Sequence, residues 1–243
     1  ESKYSIYWDK TKFNILLSNI GWNMFGGLAS VGIYQATNVI LNMFFGPAVN
    51  AARGISLQLR GAVSNFSGNV RVASNPQIIK SYANKDFDYL NTLLYQTTKF
   101  SYILMLLMSL PLLIETDFIL NLWLKKVPEY TSIFCKLFII NNLIDCVSAP
   151  LVTPIQATGV IKRYQILSGG VLLLNIPLTY IVFLLGGSPQ SAISVNIVVT
   201  IIVLIIRLYI LKSLITEFSV IEYLKSVIFN STVLTLIAVS YTH

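Results

Sequence analysis

Long apolar stretches recur along this chain, and they restrict its fold more than any other feature. A helix needs about 20 mostly apolar residues to cross the hydrocarbon core of a bilayer. Five stretches meet that length, at about 14–45, 88–114, 130–157, 163–186 and 190–213. Because a lipid-embedded backbone must satisfy its polar groups internally, such stretches cross as helices. The sequence therefore predicts an all-α, polytopic helical membrane protein.

The composition excludes most soluble classes of protein. Charged residues make up only 11% of the chain, whereas a soluble domain carries about 25%. The net charge of +7 comes from residues near the ends of the apolar stretches, not from runs that would bind nucleic acid. Two cysteines inside apolar stretches and one terminal histidine form no zinc or catalytic pattern. We therefore expect no metal, no cofactor, no nucleic-acid partner and no enzyme active site.

One segment, 47–76, is polar although it lies between apolar stretches. It carries Arg53, Arg60 and Arg71 together with several asparagines and serines. If this segment crosses the membrane, ten of the 17 lysines and arginines fall on one side of it. Cytoplasmic connections are enriched in positive charge, so this distribution predicts a sixth crossing and a cytoplasmic segment 1–12.

Six predicted crossings divide the chain into three parts. Residues 1–12 form the cytoplasmic segment, residues 13–213 form a six-helix lobe, and residues 222–243 begin a further, truncated helix. The chain starts without Met and stops inside an apolar run, so we expect it to be a fragment of a longer polytopic protein. The longest outer connection, 115–128, is partly apolar and contains Trp123, so we expect it to lie along the membrane interface.

The arginines of the polar segment share one helical face. Each residue turns a helix by about 100°, so Arg53 and Arg71 are five whole turns apart and point in the same direction, and Arg60 lies within about 20° of it. The residues predicted to form this basic face, and to bind a ligand in a cavity, are Asn50, Arg53, Arg60, Ser64, Ser67 and Arg71.

Guanidinium groups at this depth need an explanation, because an arginine at the bilayer centre costs about 2.5–3.5 kcal/mol on insertion scales. The only acid deep in a predicted crossing is Asp145, and one carboxylate cannot neutralise three guanidiniums. The arginines therefore line a water-filled cavity that receives an anion, or pair with acids beyond this sequence, or extend to the lipid headgroups. Asp145 is predicted to be either an ion-coupling group or an arginine partner.

Two shorter polar faces occur within the apolar stretches. Their members are spaced by three or four residues, which places each set on one side of a helix. The two sets are Gln35, Asn38 and Asn42, and Asn141, Asp145 and Ser148. We expect both faces to form hydrogen bonds between helices.

Four strings occur in a characteristic order: NMFFGPAVNAARGIS, NPQIIKSYANKDFD, LNLWLKKVPEY and TPIQATGVIKRYQI. In this order they resemble the polysaccharide-flippase branch of the multidrug/oligosaccharidyl-lipid/polysaccharide exporter superfamily, over about residues 13–213. The resemblance implies a MATE-like fold in which two six-helix lobes open a central cavity alternately to either side. This chain would be the C-terminal lobe with the start of an extra helix.

The resemblance also implies a function. Members of this branch flip an undecaprenyl-pyrophosphate-linked oligosaccharide across the bacterial inner membrane for lipopolysaccharide O-antigen or other surface-polysaccharide assembly. On this chain, Arg53 and Arg60 would contact the pyrophosphate, and Arg71 would lie nearer the cytoplasmic end. The implied partners are membrane lipids, the N-terminal lobe and other polysaccharide-assembly proteins. A cation-coupled multidrug antiporter of the same superfamily is the alternative.

Overall fold

A computed structural model describes residues 9–231, 233 and 235 of the chain. Within these residues the fold is all-α and contains no strand, as predicted. The helices are α1 (Lys10–Phe45), α2 (Pro47–Ala83), α3 (Phe87–Ile114), α4 (Thr116–Trp123), α5 (Thr131–Ser148), α6 (Val152–Ala157), α7 (Ile161–Tyr164), α8 (Gly170–Leu173), α9 (Asn175–Leu184), α10 (Ser191–Leu214) and α11 (Val220–Tyr223). Most of the predicted segment 1–12, and residues 232, 234 and 236–243 of the predicted further helix 222–243, lie outside the described residues. The described part of that predicted helix is helical, with α11 followed by a π-helical turn at Leu224–Phe229.

Five helical stretches are long and apolar enough to cross a membrane. They are Leu16–Phe45, Phe87–Ile114, Thr131–Ala157, Ile161–Leu184 and Ser191–Leu214. Their ends agree with the predicted apolar stretches to within two residues. The prediction of a polytopic helical membrane protein is therefore confirmed.

Two of these stretches are interrupted near prolines. Pro150 lies in a short 3-10 turn that joins α5 to α6. Pro177 has no N–H to donate to the carbonyl of Leu173, and the helix is interrupted at Leu174, between α8 and α9. This interruption makes the polar residue Asn175 the first residue of α9.

The polar segment forms α2, which is one continuous helix of 37 residues. At 1.5 Å per residue it is about 55 Å long, which exceeds the hydrocarbon thickness of about 30 Å. Gly46, with a φ of 81°, is the only residue between α1 and α2. Ser56 of α2 donates to the carbonyl of Thr131 at the start of α5. Asn75, near the other end of α2, accepts from Thr153 in α6, so α2 runs parallel to the pair α5 and α6.

The parallel directions of α2, α5 and α10 place the basic connections at one end of the bundle. Asn141 of α5 donates to Asn196 of α10 at 2.8 Å. Arg207, further along α10, donates to Ser148 at the end of α5, so these helices are parallel as well. The shared end of α2, α6 and α10, called the basic end below, carries Lys80, Lys85, Lys162, Arg163 and Lys212. That the basic end faces the cytoplasm stays a prediction.

The predicted interfacial connection forms α4 at the opposite end of the bundle. Leu120 is buried against the bundle, whereas Phe118, Leu122 and Trp123 are exposed. A short helix with one buried and one exposed apolar side suits the boundary between headgroups and acyl chains.

Two buried clusters hold the long helices together. The larger cluster includes Leu90, Leu151 and Phe218 and joins α3, α6 and the segment after α10 to the rest of the bundle. The smaller cluster includes Leu41 and Phe134 and joins α1, α2, α5, α9 and α10. The candidate functional site lies beside this smaller cluster.

Candidate functional site

The basic face of α2 borders a cavity inside the helix bundle. The cavity has a volume of about 240 Å³ and lies between α1, α2, α5, α9 and α10. Its lining residues are Ser30, Ile33, Tyr34, Thr37, Arg53, Leu57, Arg60, Phe138, Asn175, Ala192, Ile193 and Asn196. Arg53 and Arg60 are the charged residues among them, and none of these twelve is acidic.

Arg53 is held by neutral groups of α1. Its side chain is buried, with 7% of the residue exposed. Nη1 donates to Oδ1 of Asn38, and the guanidinium carbon lies 4.9 Å from the centroid of the Tyr34 ring. A guanidinium has five N–H donors, and Arg53 makes no other hydrogen bond to the described part of the chain. Its charge therefore has no carboxylate partner there.

Arg60 is held in the same way by α5. Its Nε donates to Oδ1 of Asn142 at 2.8 Å, and the Nδ2 of that amide donates to the Arg60 carbonyl at 3.3 Å. The guanidinium carbon lies 5.6 Å from the centroid of the Phe138 ring. Asn142 thus fixes both the side chain and the backbone of Arg60, and the terminal nitrogens of Arg60 make no hydrogen bond within residues 9–231, 233 and 235.

Asn175 brings another hydrogen-bond donor to the cavity. It is 2% exposed, and its Oδ1 accepts from Thr179 at 3.3 Å. Its Nδ2 is buried and has no partner among residues 9–231, 233 and 235. An unsatisfied buried donor costs about 1–3 kcal/mol. A ligand atom that accepts a hydrogen bond would remove this cost.

Asp145 does not line this cavity and pairs with a different arginine. Its Oδ1 lies 3.8 Å from Nη1 of Arg207, and that nitrogen also donates to Ser148 at 2.8 Å. The Arg207 side chain is 12% exposed and that of Asp145 is 44% exposed. The geometry therefore matches the alternative in which Asp145 is an arginine partner, and its ion-coupling role stays a prediction.

The remaining residues of the predicted basic face do not line the cavity. Ser64 donates to the carbonyl of Arg60 at 2.8 Å, and Ser67 donates to that of Ser64 at 3.0 Å, so both hydroxyls bond back to α2. Arg71 is partly buried and makes no hydrogen bond or ion pair within the described ranges. The Oδ1 of Asn50 is buried without a partner in the same ranges. A ligand-binding role for these four residues stays a prediction.

Sequence reasoning missed the residues that complete the cavity. Asn175 is a lone amide in the run VLLLNIPL, and the proline two residues later is the signal that the backbone bends there.

The two shorter polar faces form hydrogen bonds between helices, as predicted. Asn38 of the first face accepts a hydrogen bond from Arg53 of α2. The same expectation for Asn141 is met by its bond to Asn196.

Comparisons with models of protein families, with curated proteins and with solved structures find no match for this chain. The predicted membership of the exporter superfamily therefore depends on the order of the four strings alone. The cavity and its charges are independent of that resemblance.

Proposed function

We propose that this chain is part of a membrane exporter that flips a lipid-linked oligosaccharide carrying a pyrophosphate head. The observation that carries the proposal is the charge of the cavity. Arg53 and Arg60 contribute two guanidiniums, Asn175 contributes an unpartnered amide donor, and no described lining residue contributes a carboxylate. Such a cavity attracts an anion that can accept several hydrogen bonds.

Phosphate chemistry suits these donors. A guanidinium is planar and always charged, and it binds phosphate oxygens through two parallel hydrogen bonds. The neutral partners Asn38 and Asn142 orient Arg53 and Arg60 without cancelling their charge. Two guanidiniums that are positioned in advance offer several N–H donors to the oxygens of a phosphorylated head.

The size of the cavity limits which part of the substrate it holds. A volume of about 240 Å³ inside one bundle suits the phosphorylated head and leaves no room for an oligosaccharide. The sugars would occupy space between this bundle and the second lobe that the resemblance implies. The lipid tail would stay in the bilayer beside α1, whose outward side exposes Leu28 and Met43. Rocking of one lobe against the other would then expose the head to each side in turn.

The cellular setting belongs to the same proposal. The protein would lie in the bacterial inner membrane, take part in the assembly of O-antigen or another surface polysaccharide, and contact other assembly proteins. A cation-coupled drug antiporter is less compatible with the cavity, because an organic cation would meet Arg53 and Arg60.

The double variant Arg53→Gln, Arg60→Gln tests this function in the full-length protein. We expect surface polysaccharide, or flipping of the lipid-linked substrate in reconstituted vesicles, to fall to background while the amount of membrane-inserted protein is unchanged. The matched control is Lys125→Gln, Lys126→Gln, which removes the same charge near α4 and should transport normally. Wild-type transport by the cavity variant would refute the proposal, and drug resistance conferred on a pump-deficient host would favour the antiporter.

A further inference from the structure

A second, larger cavity forms a groove on the outer surface of the bundle at the basic end. Its volume is about 690 Å³, and it lies between α7, the π-helical turn that follows it, and α10. Its lining residues are Val160, Lys162, Arg163, Ile166, Leu167 and Tyr209. All six are exposed, so four apolar or aromatic side chains and two cations form one open surface.

Aromatic rings hold the two cations of the groove. The Nζ of Lys162 lies 5.7 Å from the centroid of the Trp22 ring on α1. The guanidinium carbon of Arg163 lies 5.8 Å from the centroid of the Tyr209 ring on α10. Neither cation forms an ion pair with a carboxylate of residues 9–231, 233 and 235. Two positive charges are therefore fixed at the groove and available to an anion.

An apolar strip continues from the groove along α10. The exposed side chains Val198, Ile201, Ile202, Ile205 and Tyr209 lie within about 100° of one another around the helix, because each residue turns it by about 100°, so they share one face. From first to last the strip rises about 16 Å along the helix. One leaflet contributes about half of the 30 Å hydrocarbon core, so the strip matches the depth reached by one layer of acyl chains.

We infer that this groove binds an anionic phospholipid, with its phosphate at Lys162 and Arg163 and an acyl chain along α10. The two unpaired cations favour a lipid with net negative charge over a zwitterionic one. The apolar strip favours a lipid over a free phosphate. The groove shares no lining residue with the cavity of Arg53 and Arg60, so the inference is independent of the proposed transport function.

Trp22 reports on the groove because it contacts Lys162. In the full chain carrying Trp8→Phe and Trp123→Phe, Trp22 is the remaining one of three tryptophans. The protein is reconstituted in vesicles that contain phosphatidylglycerol or phosphatidylcholine with brominated acyl chains, at equal mole fractions. We expect brominated phosphatidylglycerol to quench Trp22 at a much lower mole fraction. Removing both charges with Lys162→Gln, Arg163→Gln should lower this preference about tenfold.

The control variant Lys125→Gln, Lys126→Gln removes two charges at the opposite end and should keep the preference. Equal quenching by the two lipids, or an unchanged preference in Lys162→Gln, Arg163→Gln, overturns the proposal. Loss of quenching when soluble glycerol phosphate is added also overturns it, because the site would then recognise a free phosphate. Where the double variant loses helical structure, Arg163→Gln alone is measured, and a preference equal to the parent's again overturns the proposal.

Discussion

Arg60 and Arg207 lie within two long helices of the same bundle, and they differ in how directly a carboxylate contacts them. Arg207 has the carboxylate of Asp145 at 3.8 Å and the hydroxyl of Ser148 at 2.8 Å. Arg60 has the neutral amide of Asn142 at 2.8 Å. Arg207 has a direct ion pair with Asp145, whereas Arg60 is oriented by a neutral amide and forms no ion pair within the described residues, although Asp145 attracts its charge at longer range. The presence or absence of a direct carboxylate partner, and not the depth of the arginine, therefore distinguishes a structural ion pair from a ligand site.

The largest expected effect concerns the ion-paired arginine. Asp145→Ala leaves the guanidinium of Arg207, which is 12% exposed, without its carboxylate. Because the Asp145 side chain is 44% exposed and lies 3.8 Å from Arg207, the loss is smaller than for a fully buried pair, and we expect the free energy of unfolding to fall by about 2 kcal/mol. Unfolding in mixed detergent micelles measures this change.

The control for this prediction is the double variant Asp145→Ala, Arg207→Met, which removes both charges and should recover part of the loss. A loss below about 1 kcal/mol in Asp145→Ala, as for exposed surface pairs, would mean that Arg207 does not need its carboxylate. The contrast between Arg60 and Arg207 would then carry no functional meaning.

The sequence predicts the helices well because the signal is local. The length of an apolar stretch depends only on consecutive residues, and the five spans follow from it to within two residues. The 100° periodicity likewise places Arg53 and Arg60 on one face of α2, and both line the cavity. The same periodicity does not predict what Ser64 and Ser67 do, because short hydroxyl side chains bond to their own helix.

The sequence does not predict which side chains on distant helices form contacts. Ser148 and Arg207 are 59 residues apart, and their contact depends on the axial position of α10 relative to α5. The role of Asn175 depends on the interruption near Pro177, which aligns α9 with the cavity. A short run of residues determines neither the axial position of α10 nor the position of α9.

An intermediate effect is expected at Asn175. Asn175→Leu keeps the branched shape and the number of heavy atoms of the side chain and removes the unpartnered Nδ2 donor. A hydrogen bond to a charged group contributes about 1.5 kcal/mol or more, so we expect the affinity for inorganic pyrophosphate to fall about tenfold. The stabilisation of the purified protein by increasing pyrophosphate concentrations measures this affinity.

Thr179→Val is the matched control for Asn175→Leu. It removes the bond that Thr179 donates to Oδ1 of Asn175 and leaves the Nδ2 donor in place. We expect its affinity for pyrophosphate to stay near that of the parent protein. Equal affinities in Asn175→Leu and the parent would show that the amide does not face the bound anion.

The smallest expected effect concerns the cavity arginines themselves. The double variant Arg53→Met, Arg60→Met loses the bonds to Asn38 and Asn142, but it also removes two charges that form no direct ion pair among the described residues. The lost hydrogen bonds and the removed charges change the free energy of unfolding in opposite directions, so we expect it to change by less than about 1 kcal/mol. Arg207→Met, measured by the same detergent titration, should cost more. If instead the two cavity arginines proved as costly to remove as Arg207, they would serve mainly to hold α1, α2 and α5 together, and the anion site would lose its physical basis.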